Sequence, residues 1–237
     1  MRFGSRELEE HAAAWFTGWS ALRSYQSRSG RDYWAALRLD HSGDWEYFTC
    51  DPTPAVFATL AAEVTSSTHR ALCVIGPRIH DYVKLAHASG MGMVSTAEHL
   101  MVCALETQDN QDPFLGDPEL RLVVQKIGGR HNASPCQVRF TAAIMRGDAV
   151  LASGGVAIYG DYAVFDGLET DPAHRRRGLG MMMMKSLTAR ALDQPVTTGL
   201  LLASTAGQRL YNKLGWESLS PVTVLVPRER LAEMAKM

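Results

Sequence analysis

The segment Asp171-Pro172-Ala173-His174-Arg175-Arg176-Arg177-Gly178-Leu179-Gly180 carries the clearest chemistry in this chain. It leaves an apolar run that reads as a strand and enters one that reads as a helix. A helix start leaves backbone N–H groups without partners, and its dipole end is positive. Together these make an anion site. Gly178 and Gly180 lack Cβ atoms, so a diphosphate could come close to the backbone. Arg175, Arg176 and Arg177 add positive charge at the rim. A P-loop would need a Lys-Ser/Thr pair after its glycines, and none stands here. A dinucleotide fingerprint would need a third glycine where Met183 stands, after a βαβ unit rather than antiparallel strands.

The elements that position this turn follow from hydrophobic spacing. Residues 6–26 read as a helix through Leu8, Ala12, Trp15, Trp19 and Leu22. Tyr33–Leu39 and Trp45–Cys50 read as strands. A helix opens at Asp51-Pro52-Thr53-Pro54 and runs to about Val64, with proline at the first turn where it costs no hydrogen bond. Ala71–Ile75 reads as a strand, Arg78–Ala88 as a helix and Met93–Leu105 as a strand. Glu106–Pro118 is polar and reads as a linker. Three antiparallel strands follow, Val138–Met145, Val150–Tyr159 and Tyr162–Thr170. They feed a helix at Gly178–Leu192, a strand at Thr197–Ala203, a helix at Thr205–Leu214, a strand at Ser220–Val226 and a charged helical tail. The fold class is α/β, a mixed and mostly antiparallel sheet flanked by helices. The order strand, Asp-Pro, helix, strand, helix, glycine, strand occurs twice, from Phe48 to beyond Gly90 and from Leu168 to beyond Gly215. An internal duplication is one reading of that order.

Composition narrows the classes. Apolar residues make up 46% of 237, enough for a sizeable core, and the net charge of −1 favours neither nucleic acid nor an anionic membrane. The beginning of the chain, MRFGSRELEE, lacks the apolar stretch of a signal peptide, and no segment has the length and polarity of a membrane span. Four cysteines lie far apart with no CxxC pair, so neither a zinc site nor a disulfide framework is expected. A cytoplasmic protein without a bound metal is the expectation. Oligomeric state stays open, a homodimer included.

Arg175-Arg176-Arg177-Gly178-Leu179-Gly180 resembles the (Arg/Gln)-x-x-Gly-x-(Gly/Ala) signature of the GNAT superfamily of acyl-CoA-dependent N-acyltransferases. Leu210-Tyr211-Asn212-Lys213-Leu214-Gly215-Trp216 is similar to the late helix of that family, which normally ends Tyr-x-x-x-Gly-Phe. The resemblance covers roughly residues 136–226. Thr170 stands where the family usually has Val, Trp216 where it has Phe, and Ser204 where Asn is frequent. The resemblance implies two regions: residues 1–110, an α/β extension readable as a degenerate copy without the phosphate turn, and residues 119–237, the catalytic domain.

The resemblance also implies a site. Acetyl-CoA would be the acyl donor. Leu168 and Thr170 would pair with its pantetheine arm, and the N–H groups of Arg176, Arg177, Gly178, Leu179, Gly180 and Met181 would hold its pyrophosphate, with Arg175 at the rim. A small-molecule amine would attack the thioester directly in a ternary complex. Tyr211 would protonate the departing thiolate, a role suited to a phenol of pKa ~10. The base is left between Asp166 and Glu169. Their spacing puts them on opposite faces of a regular strand, and a bulge at Gly167 would bring both toward the cleft. Glu98 and His99 read as a strand edge that could reach the same cleft. A protein lysine or N-terminal amine as acceptor, or a non-catalytic acyl-CoA sensor, are the alternatives.

Overall fold

Leu8, Ala12, Trp15, Phe16 and Trp19 repeat at helical spacing, and helix α1 (Ser5–Leu22) buries all five. The computed structural model describes residues 5–109, 111–127 and 135–236. Residues 1–4, 110, 128–134 and 237, which fall inside segments or regions read from the sequence, lie outside the described residues. Trp15 and Trp19 stack at 5.4 Å and meet Phe48 edge-on at 5.5 and 5.2 Å. Burying each such ring contributes about 2–3 kcal/mol. The helix stops four residues before the sequence pattern suggests, and the cause is a specific terminus. Ser24 takes a left-handed φ of 54°. Tyr25 N–H then donates to Ser20 O at 2.9 Å and Ser24 N–H to Ala21 O at 3.2 Å. The Tyr25 ring closes on Trp19 at 5.1 Å. This is a Schellman cap with its hydrophobic contact. It fixes Arg23 at the C-cap.

The remaining elements are β1 (Ser27–Ser29), β2 (Trp34–Leu37), β3 (Trp45–Cys50), α2 (Pro54–Val64), β4 (Ala71–Ile75), α3 (Ile79–Ala88) and β5 (Met91–Ala104). Then come β6 (Leu120–Ile127), β7 (Val138–Arg146), β8 (Ala149–Tyr159), β9 (Tyr162–Thr170), α4 (Leu179–Leu192), β10 (Thr198–Ala203), α5 (Thr205–Lys213), β11 (Glu217–Pro227) and α6 (Arg228–Met234). Two strands were not expected from the sequence. β1 is three exposed residues. β6, Leu-Arg-Leu-Val-Val-Gln-Lys-Ile, is an edge strand with no fully buried residue, so its apolar alternation is weak. Four antiparallel strands, not three, therefore lead into α4. β11 also begins earlier than expected and carries register shifts around Leu219 and Thr223.

Among the described residues, all eleven strands form one sheet in the order β1-β2-β3-β4-β11-β5-β10-β9-β8-β7-β6. The regions 1–110 and 119–237 thus share a sheet, and each sends a strand into the other. β11 lies between β4 and β5, and β5 lies between β11 and β10. The pairings mirror about the β11–β5 ladder. β3 is parallel to β4 as β9 is to β10; β4 is antiparallel to β11 as β10 is to β5. Helices α2 and α3 cover a core around Phe57, Leu72 and Tyr82, and α4 and α5 cover one around Phe165, Met183 and Leu187. On the opposite face α1 alone covers a core drawn from both regions, including Phe48, Leu100, Val164 and Val222.

Gly18 lets α1 settle on β9: a Cβ there would lie 2.4 Å from the Val164 side chain. Alanine should favour the helix by ~1 kcal/mol on propensity alone. The clash wins, so Gly18→Ala is expected to lower stability by about 1–3 kcal/mol. Urea unfolding monitored by tryptophan fluorescence reads this as a reduced midpoint; an increased midpoint would refute the close approach.

Candidate functional site

The site begins where two strands part. β9 and β10 are in register only from Tyr162↔Thr198 to Phe165↔Leu201. From Asp166 to Thr170, the β9 edge that faced β10 has no registered strand. β9 stays paired with β8 on its other side, but with a bulge: Ser153 faces Glu169 and Gly155 faces Asp166. Gly167 takes up the extra residue at φ 66°, which few residues other than glycine adopt readily. The consequence is chemical. Asp166 and Glu169, paired with Gly155 and Ser153, fall on the same face of the sheet, the α1 face. Leu168 turns to the other face and packs against the α4 core. The bulge expected at Gly167 is present and brings both carboxylates to one face.

The anion turn lies just beyond. Arg176 and Gly178 adopt left-handed φ values of 65° and 81°. Gly178 is the N-cap of α4 and supplies no side-chain cap. The first intrahelical bond is Met182 N–H to Gly178 O at 3.0 Å. The amides of Leu179, Gly180 and Met181 are therefore left over at the positive end of the helix. Arg175 donates from Nε to Thr170 O at 3.2 Å, and His174 Nδ1 lies 3.1 Å from Asp171. None of the three arginines pairs with a carboxylate among the described residues. Gly180 faces Leu210 and Thr170, at 3.3 and 3.7 Å from where a Cβ would stand.

The matching turn in the first region is closed. β3 and β4 stay in register from Glu46↔Ala71 to Cys50↔Ile75, and Asp51 N–H continues the ladder to Ile75 O at 2.9 Å. Pro52 and Pro54 carry no N–H. Thr53 caps α2 with its own hydroxyl. Asp51 accepts from Arg78 and Tyr82 and places a carboxylate near the helix start. A hydroxyl cap, two prolines and a carboxylate thus stand where the second region leaves its helix start open.

Tyr211 sits on α5, largely buried, in the core shared with Phe165 and Ala203. Its ring lies 6.1 Å from Trp216, which meets Phe165 edge-on at 5.5 Å. Tyr211 thus packs in the core on the α4 face of the sheet, and the carboxylates stand on the α1 face. Burial pushes its pKa up to about 12, with the Asp166 charge adding to the shift.

Sequence reasoning missed Arg23. From the C-cap of α1 it donates from Nε to Asp166 Oδ2 at 2.5 Å, across 143 residues of chain. No local pattern marks it. The pair stands at one end of an open groove of about 440 Å³ over β6–β9, floored by residues such as Ala143, Met145 and Gly155. Glu98 is half-buried on the α1 face, opposite Val222, and burial raises its pKa. His99 bonds Ser218 at 2.6 Å. Among the described residues no group of three or more His, Cys, Asp or Glu is placed to hold a metal ion, and no helix is long and apolar enough to cross a membrane.

Parted strands beside an uncapped helix start, on one large, mostly antiparallel sheet flanked by helices, define the α/β architecture of this protein. Residues 102–216 match the model of the acetyltransferase (GNAT) family, and this segment belongs to that family. The match starts inside β5. Similar solved structures include a GCN5-related N-acetyltransferase from Kribbella flavida, 17% identical over 96% of both chains with a TM-score of 0.64. A GNAT-family acetyltransferase from Novosphingobium aromaticivorans is 15% identical over 90% of this chain and 96% of its own, with a TM-score of 0.56. A tandem GNAT protein from the clavulanic acid biosynthesis pathway is 14% identical over 84% of this chain and 80% of its own, with a TM-score of 0.57. These likenesses concern the fold. No curated protein matches the chain.

With its pKa raised, Tyr211 should hold its proton through neutral pH. The phenolate absorbance missing from Tyr211→Phe should therefore appear in the wild-type protein only toward pH 12. Tyr25, Tyr47 and Tyr162 are also raised to about 12. The folded state prefers their protonated forms, so the stability they contribute is complete below pH ~10 and lost as pH climbs through about 12. An alkaline unfolding curve that stayed flat across that window would contradict the burial of these rings.

Proposed function

We propose that this protein transfers an acetyl group from acetyl-CoA to a primary amine of a small molecule, by direct attack in a ternary complex. The observation that carries the reading is the uncapped start of α4 set against the unpaired edge of β9. A diphosphate complements the first, and an extended amide-bearing chain complements the second. Acetyl-CoA has both parts on one molecule, and its thioester supplies an activated acyl carbon.

The residues then divide the work. The amides of Arg176, Arg177, Gly178, Leu179, Gly180 and Met181 hold the pyrophosphate, and Arg175 helps to neutralise it. The backbone of Leu168 and Thr170 lines the slot for the pantetheine arm. On the α1 face, Asp166 or Glu169 takes the proton of the attacking ammonium, directly or through water. On the α4 face, Tyr211 keeps its proton for the leaving thiolate. Base and acid thus stand on opposite sides of the slot, so one proton can leave as the other arrives. The groove of about 440 Å³ suits a small molecule.

Calorimetry with acetyl-CoA tests the first half of this reading. The double variant Gly178→Val, Gly180→Val should weaken binding by at least ~10-fold, because it obstructs several charge-assisted hydrogen bonds. Unchanged affinity would remove the basis of the assignment. Tyr211→Phe tests the second half. Turnover, read as thiol release with an amine panel, should fall by ~10²-fold or more while acetyl-CoA still binds. Full activity in that variant across pH would take the acid role away from Tyr211.

A further inference from the structure

Among the described residues, Arg23 and Asp166 are the only charged ones lining the groove over β6–β9. Their contact uses Nε of the guanidinium and Oδ2 of the carboxylate. The two terminal nitrogens of Arg23 have no acceptor among the described residues, and its side chain is 40% exposed. Oδ1 of Asp166 has no donor there either. The pair therefore presents, side by side, a fork of N–H donors and a carboxylate oxygen to the same groove. Away from the pair, the described residues along the groove are uncharged and largely apolar, with Val123, Ala143, Met145 and Val150 among them.

A simple alkylamine would satisfy Asp166 and leave the Arg23 donors to water, so nothing on it would use them. A diamine or a peptide lysine would lay a second charge or a backbone along a largely apolar groove that offers neither a partner. A zwitterion whose ammonium and carboxylate share one carbon matches both halves of the pair. Guanidinium forks bind carboxylates with two parallel hydrogen bonds. We infer that the acceptor is the α-amino group of an apolar amino acid, its carboxylate held by Arg23, its ammonium by Asp166, and its side chain laid along the groove. The inference rests on the reading of the site as an acetyltransferase and adds the substrate class. Arg23 is then the specificity-determining residue. It comes from α1, outside the segment matched by the family model.

The step itself is ordinary N-acetylation. The bound ammonium gives one proton to the base; the neutral nitrogen then bonds the acyl carbon as the carbon–sulfur bond breaks, Tyr211 protonates the departing thiolate to the thiol of CoA, and the second proton shed by nitrogen restores the phenol.

The test compares leucine, leucinamide and 3-methylbutylamine as acceptors for the full chain, by thiol release from acetyl-CoA. Leucine should exceed both others in kcat/KM by at least ~10-fold, the worth of a charge-assisted contact. Arg23→Gln should bring the ratio of leucine to leucinamide down to about one, and Arg23→Lys should restore part of it. Ala143→Asp, on the groove floor, should lower kcat/KM for leucine while calorimetry still shows acetyl-CoA binding. Equal use of leucine and leucinamide, an unchanged ratio in Arg23→Gln, or acetyl-CoA binding with none of the three acetylated would overturn this inference alone. Failure of acetyl-CoA to bind would take the proposed activity with it.

Discussion

A strand inside a sheet leaves its backbone groups unpaired only at a cost, because each buried N–H or C=O without a partner forfeits a hydrogen bond. β9 accepts that from Asp166 onward, and the rest of the site follows. The parting from β10 opens an edge in the middle of an eleven-stranded sheet. The bulge at Gly167 turns two carboxylates to one side of that edge. The chain then swings into α4 without a side-chain cap, so unsatisfied donors continue from strand to helix in one line. A ligand with an extended polar arm and a diphosphate would complement the whole line at once.

The first region shows the same architecture with these groups satisfied internally. β3 and β4 do not part, and α2 is capped by Thr53 and preceded by prolines. The pairings mirror about β11 and β5, but only the second half parts its strands; the first keeps the frame closed. The closed half is not idle: its strand β5 completes the sheet beside β10, and its strand β3 supplies Phe48 to the core under α1.

The sequence revealed what local patterns encode. Apolar spacing located α1, β3, α2, β4 and β7 through β10, and the glycines after the arginines located the start of α4 within a residue. The bulge at Gly167 was legible as an option because glycine between two carboxylates relaxes a strict alternation. The rest depends on distant contacts. Nothing in Glu217–Pro227 says that it inserts between β4 and β5. Arg23 reads as an ordinary residue at the end of a helix, and only the cap at Ser24 and Tyr25 aims it at Asp166. β6 escaped notice because an edge strand half open to solvent needs no strong alternation.

The exchange of β5 and β11 has a bearing on how the chain is made. During synthesis β4 and β5 emerge long before β11, the strand that must lie between them. The first region cannot close its sheet until more than a hundred further residues have left the ribosome. Its strand edges stay open in that interval, which makes this topology slow to mature and exposed to wrong pairings. Folding is therefore expected to be a single late event that commits both regions together.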